Sequence, residues 1–119
     1  MPRSVLSEAQ IHPAIRPRIA NLHSDIVKEV QDAIAAKPVV VVGMGMNPMP
    51  KRVRKALDEA GVSYQYLEYG NYFNNRRRRN ALKMWTGWPT FPMVFVKSTL
   101  VGGAADVQAL IASGELKKL

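Results

Sequence analysis

The stretch MGMNPMP, residues 44–50, carries no charge, yet it sits between the apolar run KPVVVV with Gly43 and the basic segment KRVRKAL. A loop between a buried strand and a helix is a common place for chemistry, because backbone N–H groups at a helix start favour anions and nucleophilic side chains. This loop offers the carboxamide of Asn47 and the thioethers of Met44, Met46 and Met49. Thioethers are soft donors that suit Cu(I), and they also make adaptable apolar contacts with protein partners. Two further groupings carry polar chemistry: the run Arg76–Arg79, and Gly102-Gly103 followed by Asp106.

Other chemistries are excluded by what the chain lacks. It has no cysteine, so it provides no disulfide, no thiolate nucleophile and no thiolate ligand for zinc or an iron–sulfur cluster. His12 and His23 are its two histidines, and their separation does not match a metal-binding pair on one helix face. No metal is expected. The formal net charge of +8 and pI near 10.1 favour anionic partners, whether acidic protein, small carboxylate, nucleic acid or lipid. No apolar run approaches the roughly 20 residues of a membrane-spanning helix, and the N-terminal segment lacks a signal-like apolar stretch. The expectation is a cytoplasmic protein.

The elements that position these groups follow from hydrophobic period. Residues 1–15 show no period and read as an arm, with one domain over 16–119. Ile19, Leu22, Ile26, Val30 and Ile34 fall at helical spacing from about Arg16 to Ala36, although Ser24-Asp25 can cap a second, shorter helix instead. Val39–Val42 reads as a strand buried on both faces. Pro50 suits the first helical position, Val53, Ala56, Leu57 and Ala60 form an apolar stripe, and Gly61 suits the residue after the helix.

Beyond it, Val62–Tyr69 alternates as a strand, and Asn74 or Asn75 can cap a helix running to about Trp85. Met93–Val96 and Thr99–Val101 form a hairpin turning at Lys97-Ser98. A last helix spans Ala104–Ala112, ended by Ser113-Gly114, and the tail GELKKL is short and basic. The order is α–β–α–β–α–β–β–α, which gives an α/β domain with a four-stranded mixed sheet flanked by helices. The four arginines spread over roughly 300° of a helix at about 100° per residue, so they cannot all face one ligand.

At this level of detail WPTFPMVFV (88–96), LVGGAAD (100–106) and RNALKMWTGWPT (79–90) together resemble the glutaredoxin family, its single-cysteine branch in particular. KPVVVV, KRVRKAL and GVSYQYLEY are similar to the family's first half, and Arg16–Ala36 to its extra N-terminal helix. The resemblance implies a thioredoxin-like fold and, for the family, glutathione-linked electron transfer in redox homeostasis. It implies a cis peptide at Pro92, a Phe91 backbone that pairs with extended glutathione, and Thr90 as a further residue of the glutathione site. It further implies that Gly102 and Gly103 let backbone N–H groups reach the γ-glutamyl carboxylate, that Asp106 pairs with the ligand ammonium, and that Arg79 pairs with its other carboxylate.

The departures are chemical. The family's reactive cysteine falls on Asn47 in one register and on Pro50 in the other, within Asn47-Pro48-Met49-Pro50. Neither residue supplies a thiolate, so thiol–disulfide exchange and cluster ligation are both expected to be absent. The family's preceding lysine falls on Met44 or Val42, and Cys/Ser-Asp-Asp becomes Ala104-Ala105-Asp106. The expectation is a degenerate glutaredoxin that binds glutathione or an acidic protein without chemistry and without a resident cofactor. The alternative is a basic adaptor that binds nucleic acid or an acidic protein through Arg76–Arg79.

Overall fold

The computed structural model describes residues 3–118. The first two residues of the expected arm and the last residue of the expected domain lie outside them. Five helices and four strands follow in order: α1 Arg16–Ala20, α2 Ser24–Ala36, β1 Val39–Gly43, α3 Pro48–Glu59, β2 Gln65–Glu68, α4 Arg76–Thr86, β3 Met93–Val96, β4 Thr99–Gly102 and α5 Ala104–Ser113. Single 3-10 turns occur at Glu8–Gln10 and Leu116–Lys118. No helix among the described residues is long and apolar enough to cross a membrane.

The sheet order is β2-β1-β3-β4. β1 runs parallel to β2 and antiparallel to β3, and β3 is antiparallel to β4. Side chains alternate across a strand, so the valines of β1 divide between two cores. Val40 and Val42 pack with Met93 and Phe95 under α2 and α4, whereas Val39 and Val41 pack with Val94 and Val96 under α3 and α5. A central strand covered on both faces needs a continuous apolar run, which is what KPVVVV provides.

Several boundaries differ from the sequence expectation, each for a local reason. Of the two readings of residues 16–36, the second is the one seen: two helices, broken where His23 takes a left-handed conformation (φ 44°) and the shorter-helix start falls at Ser24. Ile26 and Val30 are buried, but Ile19 and Leu22 stay 45% and 41% exposed, so the expected stripe reaches the core only in α2. Helix α3 starts at Pro48 rather than Pro50, because the Asn47 side chain accepts the Met49 N–H at 3.0 Å and so caps the helix two residues earlier. β2 is shorter than expected, and Asn75 precedes α4 in a left-handed conformation without a side-chain capping bond. The tail is not merely a basic extension: Leu116 is buried against the α3/α5 core.

Gly43 makes the junction between β1 and α3 possible. A Cβ there would lie 2.8 Å from Pro50 Cβ and 2.9 Å from the Tyr66 hydroxyl, closer than a side chain tolerates. The strand can therefore pass directly beneath the first turn of α3, bringing Asn47 to the carboxyl edge of the sheet.

Candidate functional site

A cleft of about 520 Å³ opens at this edge, between the start of α3, the loop before β3 and the start of α5. Asn47 and Met49 form one wall, Thr90, Phe91 and Pro92 the floor, and Gly103 to Asp106 the far end. The Phe91–Pro92 peptide is cis. Lys83 and Trp88 close the α4 side.

Asn47 links the two halves of the site. Its Oδ1 accepts the Met49 N–H, while its Nδ2 donates to the Phe91 carbonyl oxygen at 3.3 Å. The carboxamide is thus both the cap of α3 and a clamp on the backbone beside the cis-proline. Pro50 is fully buried beneath the helix and does not line the cleft. Of the two registers left open by the sequence, the one with Asn47 at the reactive position is the one that faces the cleft.

At the far end, the Gly103 N–H donates to Asp106 Oδ2 at 3.0 Å, closing the first turn of α5. Gly102 adopts φ +115°, with the Asp106 carboxylate lying where its Cβ would be. This conformation favours glycine, and it turns β4 sharply into α5. On the α4 side, Thr86 holds the loop: its hydroxyl donates to Leu82 O at 2.8 Å and accepts the Trp88 N–H at 3.1 Å. Trp88 Nε1 is buried without an acceptor. An indole N–H beside a cleft in that state is a donor available to a ligand. The Lys83 ammonium lies 5.7 Å from the Phe91 ring centroid and supplies positive charge to the same wall.

Five of the expected ligand positions, Thr90, Phe91, Pro92, Gly103 and Asp106, therefore line one cleft. Gly102 lies behind it as the turn that aims α5. Arg79, expected as a ligand residue, does not line this cleft. It is 5% exposed, and its Nη1 donates to Tyr69 O at 3.0 Å and Asn74 O at 2.6 Å. Burial, then the neighbouring Arg76 charge, lowers its pKa from the ordinary arginine value. The guanidinium is committed to closing the Tyr69–Asn74 turn. Lys83, four residues on and one helical turn along α4, is the cation that lines the cleft; the sequence reading missed it, and its i, i+4 relation to Arg79 is the one signal that could have found it.

The rest of the arginine run also divides. Arg78 pairs with Asp25 of α2 at 2.9 Å, while Arg76 and Arg77 are exposed. Among the described residues there is no cluster of three or more His, Asp or Glu that would hold a metal ion.

Comparison with known proteins agrees with this geometry. A glutaredoxin family model matches residues 39–101, more than half of the chain. The chain belongs to the glutaredoxin family. It is 48% identical over 98 residues to a glutaredoxin-like protein of Dictyostelium discoideum, covering 82% of this chain and 80% of that one. It is 31% identical to Glutaredoxin-C6 of rice, over 76% of this chain and 81% of its relative. Among solved structures, a buckwheat glutaredoxin–glutathione complex superposes with a TM-score of 0.70 at 26% identity, covering 82% of this chain and 89% of that one. Oxidized glutaredoxin 2 of Chlamydomonas reinhardtii gives a TM-score of 0.69 at 27% identity, covering 81% and 91%. The four-stranded mixed sheet with flanking helices is the thioredoxin-like fold of these neighbours.

Proposed function

We propose that this glutaredoxin-like chain is redox-silent, and that its cleft holds glutathione, or a peptidic carboxylate of that class, without a covalent bond. The observation that carries this reading is a cleft without a thiol, in which Asn47, one of the two residues on which the family's cysteine falls, caps α3 and lines the wall. A thiolate attacks a disulfide sulfur and then leaves as the better thiolate; a neutral carboxamide can do neither. The thioethers of Met44 and Met49, which also line the cleft, have no S–H to lose and form no mixed disulfide.

The same donor set does not fit the iron–sulfur cluster of the single-cysteine branch, which takes protein thiolate. No step is assigned to such a cluster.

What the cleft retains is recognition. An extended tripeptide can pair with the Phe91 backbone as an added strand. Backbone N–H groups at the start of α5 suit one carboxylate, Lys83 suits the other, and Asp106 suits the ammonium. The complexed buckwheat glutaredoxin supports a ligand of this kind. The cytoplasmic setting expected from the sequence remains part of the proposal. A glutathione-dependent disulfide reductase assay on the purified chain should read at the blank, and turnover above it would overturn the redox-silent reading.

A further inference from the structure

Two of the four arginines in the run Arg76–Arg79 are engaged in the fold, and a second set of cations is wholly without ion pairs among the described residues. Lys51, Arg52, Arg54 and Lys55 all lie in the first two turns of α3. Arg78–Asp25 is the one ion pair among the described residues, so these four side chains have no carboxylate partner. With Tyr64 they line an open groove of about 530 Å³ that reaches Pro48. Like charges three and four residues apart on a helix repel, and cations near its N-terminus oppose the macrodipole. An anionic partner would relieve both effects.

Arg54 is also held in place. Its guanidinium carbon sits 4.1 Å from the Tyr66 ring centroid, and its Nε is buried without an acceptor. A cation stacked on an aromatic face loses less freedom on binding than one on a free chain.

We infer that this groove on α3 is a docking site for an acidic peptide segment of a protein partner. Peptide is favoured over nucleic acid on two grounds. Single-stranded nucleic acid needs open aromatic faces for its bases, yet Arg54 covers the Tyr66 ring beside the groove. Asp58 itself lines the groove, where it can accept a peptide backbone N–H, a donor that a sugar–phosphate backbone lacks. In addition, the groove and the cleft meet at consecutive residues: Pro48 borders one, and Asn47 and Met49 border the other. A partner could therefore occupy both. This last point rests on the peptide-binding reading of the cleft, whereas the cation cluster does not.

The test uses the full chain, isotope-labelled, titrated in parallel with hexaglutamate, hexauridylate and glutathione. Hexaglutamate should move the amides of residues 51–55 and 64–66, with affinity falling as salt rises. The exposed-site variant K51E/K55E should lose roughly ten-fold or more in hexaglutamate affinity, and K51Q/K55Q less, while the α4 control R76E/R77E stays within about two-fold. Thermal melts check that each variant is folded. Unmoved α3 amides, tighter binding of hexauridylate through the same residues, or an equal loss in the α4 control would each overturn the proposal. Glutathione binding unchanged in K51E/K55E separates the groove from the cleft, so either reading can fail without the other.

Discussion

Asn47 Nδ2 donates to the carbonyl oxygen of Phe91 across 44 residues of sequence. The bond ties the cap of α3 to the strand-like backbone that an extended ligand would use. A ligand N–H aimed at Phe91 O must share that oxygen with Asn47 or displace it. Asn47 thus guards the backbone oxygen that such a ligand would use.

Replacing Asn47 by alanine should therefore act in two directions. Loss of the cap should lower stability by about 1 kcal/mol, read from urea unfolding. Glutathione affinity, read on the folded protein by calorimetry, should rise because Phe91 O is released. Weaker binding by N47A would show that the carboxamide helps the ligand instead of competing with it.

Asn47→Cys should return a reactive thiol. A cysteine at a helix N-terminus has its pKa lowered toward neutrality, and mass spectrometry after incubation with oxidised glutathione should show a mixed disulfide. The matched variant P50C, at a buried position, should stay unmodified in the folded state. The reverse pattern would move the reactive position from Asn47 to Pro50.

Arg79 and Lys83 should separate stability from binding. Arg79→Met leaves Tyr69 O and Asn74 O without their donor and should cost about 1–3 kcal/mol, with glutathione affinity of the folded fraction little changed. Lys83→Met should leave the melt nearly unaltered and weaken glutathione roughly 3- to 10-fold. If R79M abolishes binding at unchanged stability, Arg79 is a ligand residue after all.

These two residues show where sequence reasoning reaches its limit. The continuous β-branched run after Pro38 places β1, because four successive valines suit a central strand buried on both faces, and hydrophobic period places the α3 stripe through Val53 and Leu57. Spacing on α4 also shows that four arginines must diverge. It does not reveal that the Tyr69–Asn74 turn leaves two carbonyls needing a donor, so it cannot tell a buried arginine from a ligand arginine. The helix break at His23 carries no glycine or proline, so Ser24-Asp25 is its one sign in the sequence and leaves two readings open. Pro48 and Pro50 both suit a first helical turn, and only the Asn47 side chain, seen with its Met49 and Phe91 partners, decides between them.

High pH should loosen the fold through two tyrosines. Burial first, then the bond to Glu68 and its charge, pushes Tyr66 up to about 12. Tyr69 is likewise raised, by burial and by its 2.6 Å bond to Glu29. Both folded-state values exceed the unfolded value near 10, so their stabilisation is complete below about pH 10 and is lost as pH rises from there toward the folded values. Urea midpoints should fall over that interval, and Y69F should flatten the fall. An unchanged slope in Y69F would remove Tyr69 from the account.

The central claim is a cleft that recognises glutathione and does no chemistry on it, and a glutathione titration followed by amide chemical shifts tests it most directly. Reversible shifts centred on Asn47–Met49, Lys83, Phe91 and Gly103–Asp106, with no change in protein mass, are the predicted result. Amides in the cleft that stay fixed at millimolar glutathione, or a covalent adduct on the native chain, would contradict it.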